Sequence, residues 1–153
     1  MMTIDVIQIL SGFVGSVCFA VLYNIRGKRL IVAGLGGGFS WFLFLLLSGF
    51  ISNEALNYFI VSFMMSCYAE IMARVLKTPT TTFITISLIP LIPGASLYYT
   101  MAHAFGGEFE VFLQKALATL QLASALALGI IVSAALSKII NKTVSVIPKQ
   151  KTN

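Results

Sequence analysis

An all-α, polytopic membrane protein of about five transmembrane helices is the fold this sequence predicts. Three observations carry that expectation. Of the 153 residues, 58% are hydrophobic and only 10% charged, with a mean hydropathy of +0.96; a soluble domain carries about 25% charged residues. A fold this short buries only part of its surface, so lipid has to replace water around most of its apolar side chains. The apolar residues also fall into runs of about 20, the length that crosses a bilayer, separated by short polar clusters. Finally, the basic residues alternate from loop to loop as a topology signal does, and they form no single patch suited to nucleic acid.

The first run covers residues 6–23 and begins within the N-terminal segment MMTIDVIQIL, whose only charge is Asp5. It lacks the basic lead-in of a secretory signal and reads as a retained helix ending at Asn24, Arg26, Lys28 and Arg29. The second run, residues 30–51, opens on Gly34-Leu35-Gly36-Gly37-Gly38. A nucleotide-binding loop needs a strand before its glycines, and a basic loop stands there instead. Gly34 and Gly38 have the spacing that lets membrane helices approach closely. The third run, residues 55–75, closes on Arg74, Lys77 and Pro79.

The fourth run, residues 80–102, is interrupted by Pro90, Pro93 and Gly94. Proline removes a backbone donor and clashes with the preceding turn, and glycine permits the conformations that complete a break. A break of the fourth helix across residues 90–94 is therefore expected. At membrane depth irregular backbone survives only against protein or a water-filled cavity, and transporters build solute sites from such discontinuous helices. Thr80, Thr81, Thr82, Thr85, Ser87, Ser96 and Tyr98 supply hydroxyls around it. The fifth run, residues 116–140, carries Ala123/Ala127 and Ala125/Gly129 at packing distance, with Gln121 placed to bond a neighbouring helix. Residues 1–142 thus form one transmembrane helical domain, and residues 143–153 a basic cytoplasmic tail expected to be disordered.

Orientation follows from the charges. With the Arg26, Lys28 and Arg29 loop inside, alternation also places Arg74, Lys77, Lys138, Lys142, Lys149 and Lys151 inside, which leaves Lys115 alone outside among the 10 basic residues. The positive-inside rule then puts the N-terminus out and the C-terminus in.

Ser62, Ser66, Glu70 and Arg74 recur at four-residue spacing, hence on one face of the third helix. A carboxylate at that depth is costly and faces a partner or a wet cavity. Two readings stay open: a cavity-lining stripe in which Glu70 takes a solute amine or a proton, and a structural Glu70–Arg74 ion pair. Cys18 and Cys67 lie in apolar runs without metal-ligand spacing, and His103 is the only histidine. No nucleophile and base can be paired, so neither catalysis, a metal nor a cofactor is predicted.

Leu22-Tyr23-Asn24 before basic residues, Ala33-Gly34 with Trp41, Glu70-x-x-x-Arg74-x-x-Lys77-x-Pro79, and then Ile89 to Gly94 with Tyr98 resemble the threonine/serine exporter family. The similarity is to the short, stand-alone subunit that matches the C-terminal half of full-length exporters, and it runs from about Cys18 to Ser137. Members often have proline soon after the asparagine of the first loop, where this chain has Ile25-Arg26-Gly27. The resemblance implies proton-driven export of small amino or carboxylic acids across the bacterial cytoplasmic membrane, with a companion subunit of the same family. On that reading Ser62, Ser66 and Glu70 face a cavity against Pro90, Pro93, Gly94 and Tyr98. Freed backbone groups at the break and nearby hydroxyls hold a carboxylate or hydroxyl of the solute, and Arg74 and Lys77 draw anionic groups to the inner mouth. Homo-oligomerisation is left open. The rival reading is a non-transporting scaffold or assembly subunit of a larger membrane complex.

Overall fold

The computed structural model describes residues 2–146 and is helical almost throughout them. α1 spans Met2–Leu22, α2 Lys28–Ser48 and α3 Glu54–Val75. The fourth run divides into α4, Thr80–Leu88, a 3-10 turn, Ile89–Leu91, and α5, Gly94–Phe105, which is bent by 57° from the preceding piece. α6, Phe109–Val146, completes the bundle. α1, α2, α3 and α6 are each long and apolar enough to cross a bilayer, and the bent pair counts as a fifth crossing if taken as one span. The multi-pass helical fold and the break at residues 90–94 are as the sequence predicts.

Lipid is as apolar as the side chains it surrounds, so helices in a bilayer associate through close packing and hydrogen bonds. The α1–α2 turn sets up the first such contact. Asn24 (φ 56) and Gly27 (φ 67) both take left-handed backbone, which asparagine tolerates and glycine adopts freely. α2 then folds back on α1 through the predicted small-residue pair. A Cβ on Gly38 would stand 3.1 Å from Phe13 Cβ, and one on Gly34 would overlap Val17.

α3 is the most buried of the long helices and α1 the least. Asn53 caps α3 by accepting from the Leu56 N–H at 3.3 Å. Asn57 donates to Phe44 O at 3.0 Å and Ser48 Oγ at 2.8 Å, and Tyr68 donates to Val32 O at 2.9 Å, so α2 and α3 run antiparallel. α3 and α6 run parallel. Cys67 meets Ser133 and Glu70 meets Ser137, offsets of 66 and 67 positions, and Ser62 against Gly129 continues the series. A chain that enters α3 and α6 from the same side must return between them. The bent α4–α5 pair makes that return and therefore traverses the bundle.

Two boundaries differ from the sequence reading. Helix resumes at Phe109, where a polar stretch is expected up to residue 116. Glu108, Glu110 and Lys115 interrupt hydropathy, but glutamate and lysine are good helix formers. The 38 residues of α6 make about 57 Å of helix, against about 30 Å of hydrocarbon. Because Glu54 lies beside Lys115 and Gln121, the end of α5 and the first turns of α6 project past the start of α3. At the other end α6 continues through Val146, and residues 147–153 of the predicted tail lie outside the described residues.

Candidate functional site

The break is made by the two prolines in sequence. Pro90 and Pro93 cannot donate to Ile86 O and Ile89 O, their helical acceptors. The Ile89 N–H takes Ile86 O, and the Ile92 N–H takes Ile89 O at 3.2 Å. These shorter bonds form the 3-10 turn. Two of the backbone groups freed by the prolines, Ile86 O and Ile89 O, are thus already paired, and the hydroxyls expected beside the break remain as its polar side chains.

On the face toward α1 and α2, packing is close at one level and open on either side of it. A Cβ on Gly12 would stand 3.6 Å from Pro90 Cβ and 3.5 Å from Trp41 Cβ. With Ile7, Gln8 and Ser11 these residues line a wide-open surface cavity of about 300 Å³, where Trp41 Nε1 donates to Gln8 Oε1 at 3.3 Å. Toward the other end of the bundle, Tyr23, Ile25, Thr81, Thr82, Thr85 and Ile86 line a second cavity of about 180 Å³. Between them stand Ser16, one turn beyond Gly12, and Ser87, one turn before Pro90. Both serines are fully buried. Ser16 Oγ fills the space where Gly37 lacks a Cβ, and Ser87 Oγ the space where Gly36 lacks one. Neither hydroxyl has a hydrogen-bond partner among the described residues. Each such group costs about 1–3 kcal/mol, so a purely structural serine pair here would be a standing loss.

A second polar locus lies on the opposite side of α3, in an open groove of about 320 Å³ against α6. Glu70 Oε2 accepts from Arg74 Nη2 at 3.2 Å and from Ser137 Oγ, and Arg74 Nη2 also donates to Ser137 Oγ at 2.7 Å. Cys67 Sγ meets Ser133 Oγ at 3.4 Å, and Phe63, Ile71, Leu136 and Ile140 supply apolar walls. The Glu70 side chain keeps 20% exposure and Arg74 53%. Both charges are therefore partnered, yet both remain reachable from the groove.

The structure joins some predicted residues and separates others. Glu70 and Arg74 meet each other and α6. Ser62 packs on Gly129 and donates to Phe59 O at 2.9 Å, and Ser66 is buried with its hydroxyl unpartnered among the described residues. α3 presents Val61 and Met65, rather than the polar stripe, to the apolar cluster that holds Leu88 and Leu91 of the break. The stripe and the break thus do not enclose one cavity. Lys77 sits exposed in the α3–α4 turn with left-handed backbone (φ 47). Pro93 and Gly94 start α5, and Tyr98 is 69% exposed, edge-on to Tyr99. Gln121 lines a polar cavity of about 250 Å³ with Asn53, Glu54, Ser96 and Lys115.

Sequence reading missed Ser16, Ser133 and Ser137. Each is a lone hydroxyl in an apolar run, a weak signal until the facing helix is known. Gly36 and Gly37 carried a packing signal only. No group of three or more His, Cys, Asp and Glu side chains comes together among the described residues.

The family model described as threonine/serine exporter, ThrE, matches residues 8–136. No curated protein and no solved structure matches the chain. The matched segment includes the break, all residues lining the cavities beside it except Ile7, and almost all of the α3–α6 contact. The chain belongs to the threonine/serine exporter family.

Proposed function

We propose that this member of the exporter family moves threonine, serine or related small carboxylic acids out of the cell, driven by the proton gradient. In this reading it is half of a transporter, and a companion subunit of the same family supplies the rest. It lies in the cell membrane, in bacteria the cytoplasmic one, with its N-terminus outside and the basic loops inside. The observation that carries the reading is the break at Pro90 and Pro93, flanked by cavities on the face toward α1. Discontinuous helices of this kind create polar sites that a continuous apolar helix cannot.

Glu70 exchanges the coupling proton in the α3–α6 groove, where it is partly exposed and hydrogen-bonded. Arg74 and Lys77 draw anionic groups of the solute to the inner mouth. Hydroxyls near the break hold the solute. The direct test is export of labelled threonine, serine and succinate from cells producing this chain with its companion, compared with cells lacking either one. Export that is the same in all of these cells, for every solute, refutes the reading.

A further inference from the structure

We infer that the solute's path runs along the seam between α1 and the α4 break, with Ser16 and Ser87, seated on Gly37 and Gly36, as its closed waist. This rests on the export reading above and gives it a location away from the Glu70 stripe. Four features converge on the seam. Cavities of about 300 Å³ and about 180 Å³ lie on either side of one level of the bundle. Polar side chains line both, with Gln8, Ser11 and Trp41 in one and Tyr23, Thr81, Thr82 and Thr85 in the other. The level between them holds two fully buried hydroxyls with no partner among the described residues. The Pro90 break, finally, abuts Gly12 at the edge of that level.

Packing explains why the waist is closed. Ser16 and Ser87 reach in from α1 and α4, and α2 receives both oxygens only because Gly36 and Gly37 carry no side chain. A small shift of α1, the least buried long helix, would lift Ser16 off Gly37 and open the level between the two cavities. The unpaired hydroxyls would then gain partners from the solute. Each can donate and accept. No residue lining either cavity is charged, and an uncompensated charge is costly there. The seam therefore suits a small polar solute without net charge, such as a zwitterion.

Cysteine accessibility in membrane vesicles of both orientations, containing this chain with its companion, tests the assignment. Cys18 and Cys67 are first replaced by alanine. A membrane-impermeant cationic thiosulfonate should then label Ser11→Cys from one face and Thr82→Cys from the other, and threonine should slow labelling at Ser16→Cys. Ser62→Cys, packed on α6, should stay unlabelled. The labelling of Ser11→Cys and Thr82→Cys from opposite faces supports the seam whichever solute is exported. Unlabelled Ser11→Cys and Thr82→Cys overturn it even where export is measured, which leaves the export reading standing.

The waist itself is tested by exchange of sizes. Gly37→Ala alone collides with Ser16 Oγ and is expected to misfold. Ser16→Gly combined with Gly37→Ala moves the volume across the contact and removes the hydroxyl. The double variant should fold, keep labelling at Ser11→Cys and Thr82→Cys, and lose export. Full export by a folded double variant overturns the role of the waist.

Discussion

Glu70→Gln separates a coupling carboxylate from a structural ion pair, because the structure limits what the substitution can do to stability. Opposite unit charges 3.2 Å apart attract by about 5 kcal/mol at an effective dielectric of about 20. That gross figure is screened, since Arg74 is 53% and Glu70 20% exposed, and pairs of this kind contribute about 0–1 kcal/mol net. The amide oxygen of glutamine can still accept from Arg74 and Ser137, which lowers the loss further. The expected shift in melting temperature is at most about 2–4 °C. Proteoliposomes holding the chain and its companion then give two readouts. Exchange of labelled threonine against unlabelled threonine at equal pH should persist, because it needs no net proton movement. Accumulation driven by a pH gradient should disappear, because glutamine cannot cycle between protonated and ionised states. Gradient-driven accumulation at the parental rate refutes the coupling role. A melting temperature lowered far beyond that range, with both readouts lost together, shows that the pair is structural.

Other outcomes follow from the packing. A Cβ on Gly129 would meet Phe59 O at 2.6 Å and Phe63 N at 2.9 Å; backbone atoms cannot swing aside, so Gly129→Ala should cost about 1–3 kcal/mol, read as a lower melting temperature in detergent. Gly15→Ala, with nothing within 4 Å, should leave that temperature unchanged or raise it, and equal effects at the two positions would contradict the α3–α6 contact. Pro90→Ala with Pro93→Ala returns donors to Ile86 O and Ile89 O. The chain should still insert, gain helical circular dichroism and lose export; normal export would show that the break is incidental. Trp41 is the only tryptophan and lines the cavity beside Pro90, so its emission should shift when threonine binds. An unchanged spectrum at concentrations that saturate export counts against occupancy of that cavity.

The helices were legible in the sequence because membrane insertion depends on hydropathy and helix breaking, which are local properties. Pro90, Pro93 and Gly94 announce the break unaided, and Gly34 and Gly38 announce a close helix contact, though not that its partner is α1. The ends of α5 and α6 were less legible, since charge and helicity diverge at Glu108, Glu110 and Lys115. The direction of the polar stripe could not be read at all. Periodicity places Ser62, Glu70 and Arg74 on one face of α3, but which neighbour that face meets depends on Gly129, Ser133 and Ser137 in a helix far along the chain. Ser16 was invisible for a related reason: its significance lies in the missing Cβ of Gly37, a feature of the other partner.

That separation constrains any proton-coupled mechanism for this chain. Glu70 faces α6, whereas Ser16 and Ser87 face α2, and Val61, Met65, Leu88 and Leu91 share one apolar cluster on the side of α3 toward the break. On the proposed path, a proton at Glu70 is out of direct contact with the solute and acts through movement of packed helices. Close-packed interiors transmit such displacements because they resist compression. α4 is the element placed to receive one, since it packs on α3 and on α2 and carries Ser87 to the waist. Loss of the Glu70 charge removes the ionic part of its contacts with Arg74 and Ser137, leaving the direct Arg74–Ser137 hydrogen bond, and would ease a shift of α3 against α6. The same shift, passed through Met65 and Leu88, would move Ser87 off Gly36. Enlarging or trimming Met65 should accordingly alter how many threonine molecules move per proton while leaving both polar loci chemically intact, and an unchanged ratio across Met65→Ala and Met65→Phe would break this link.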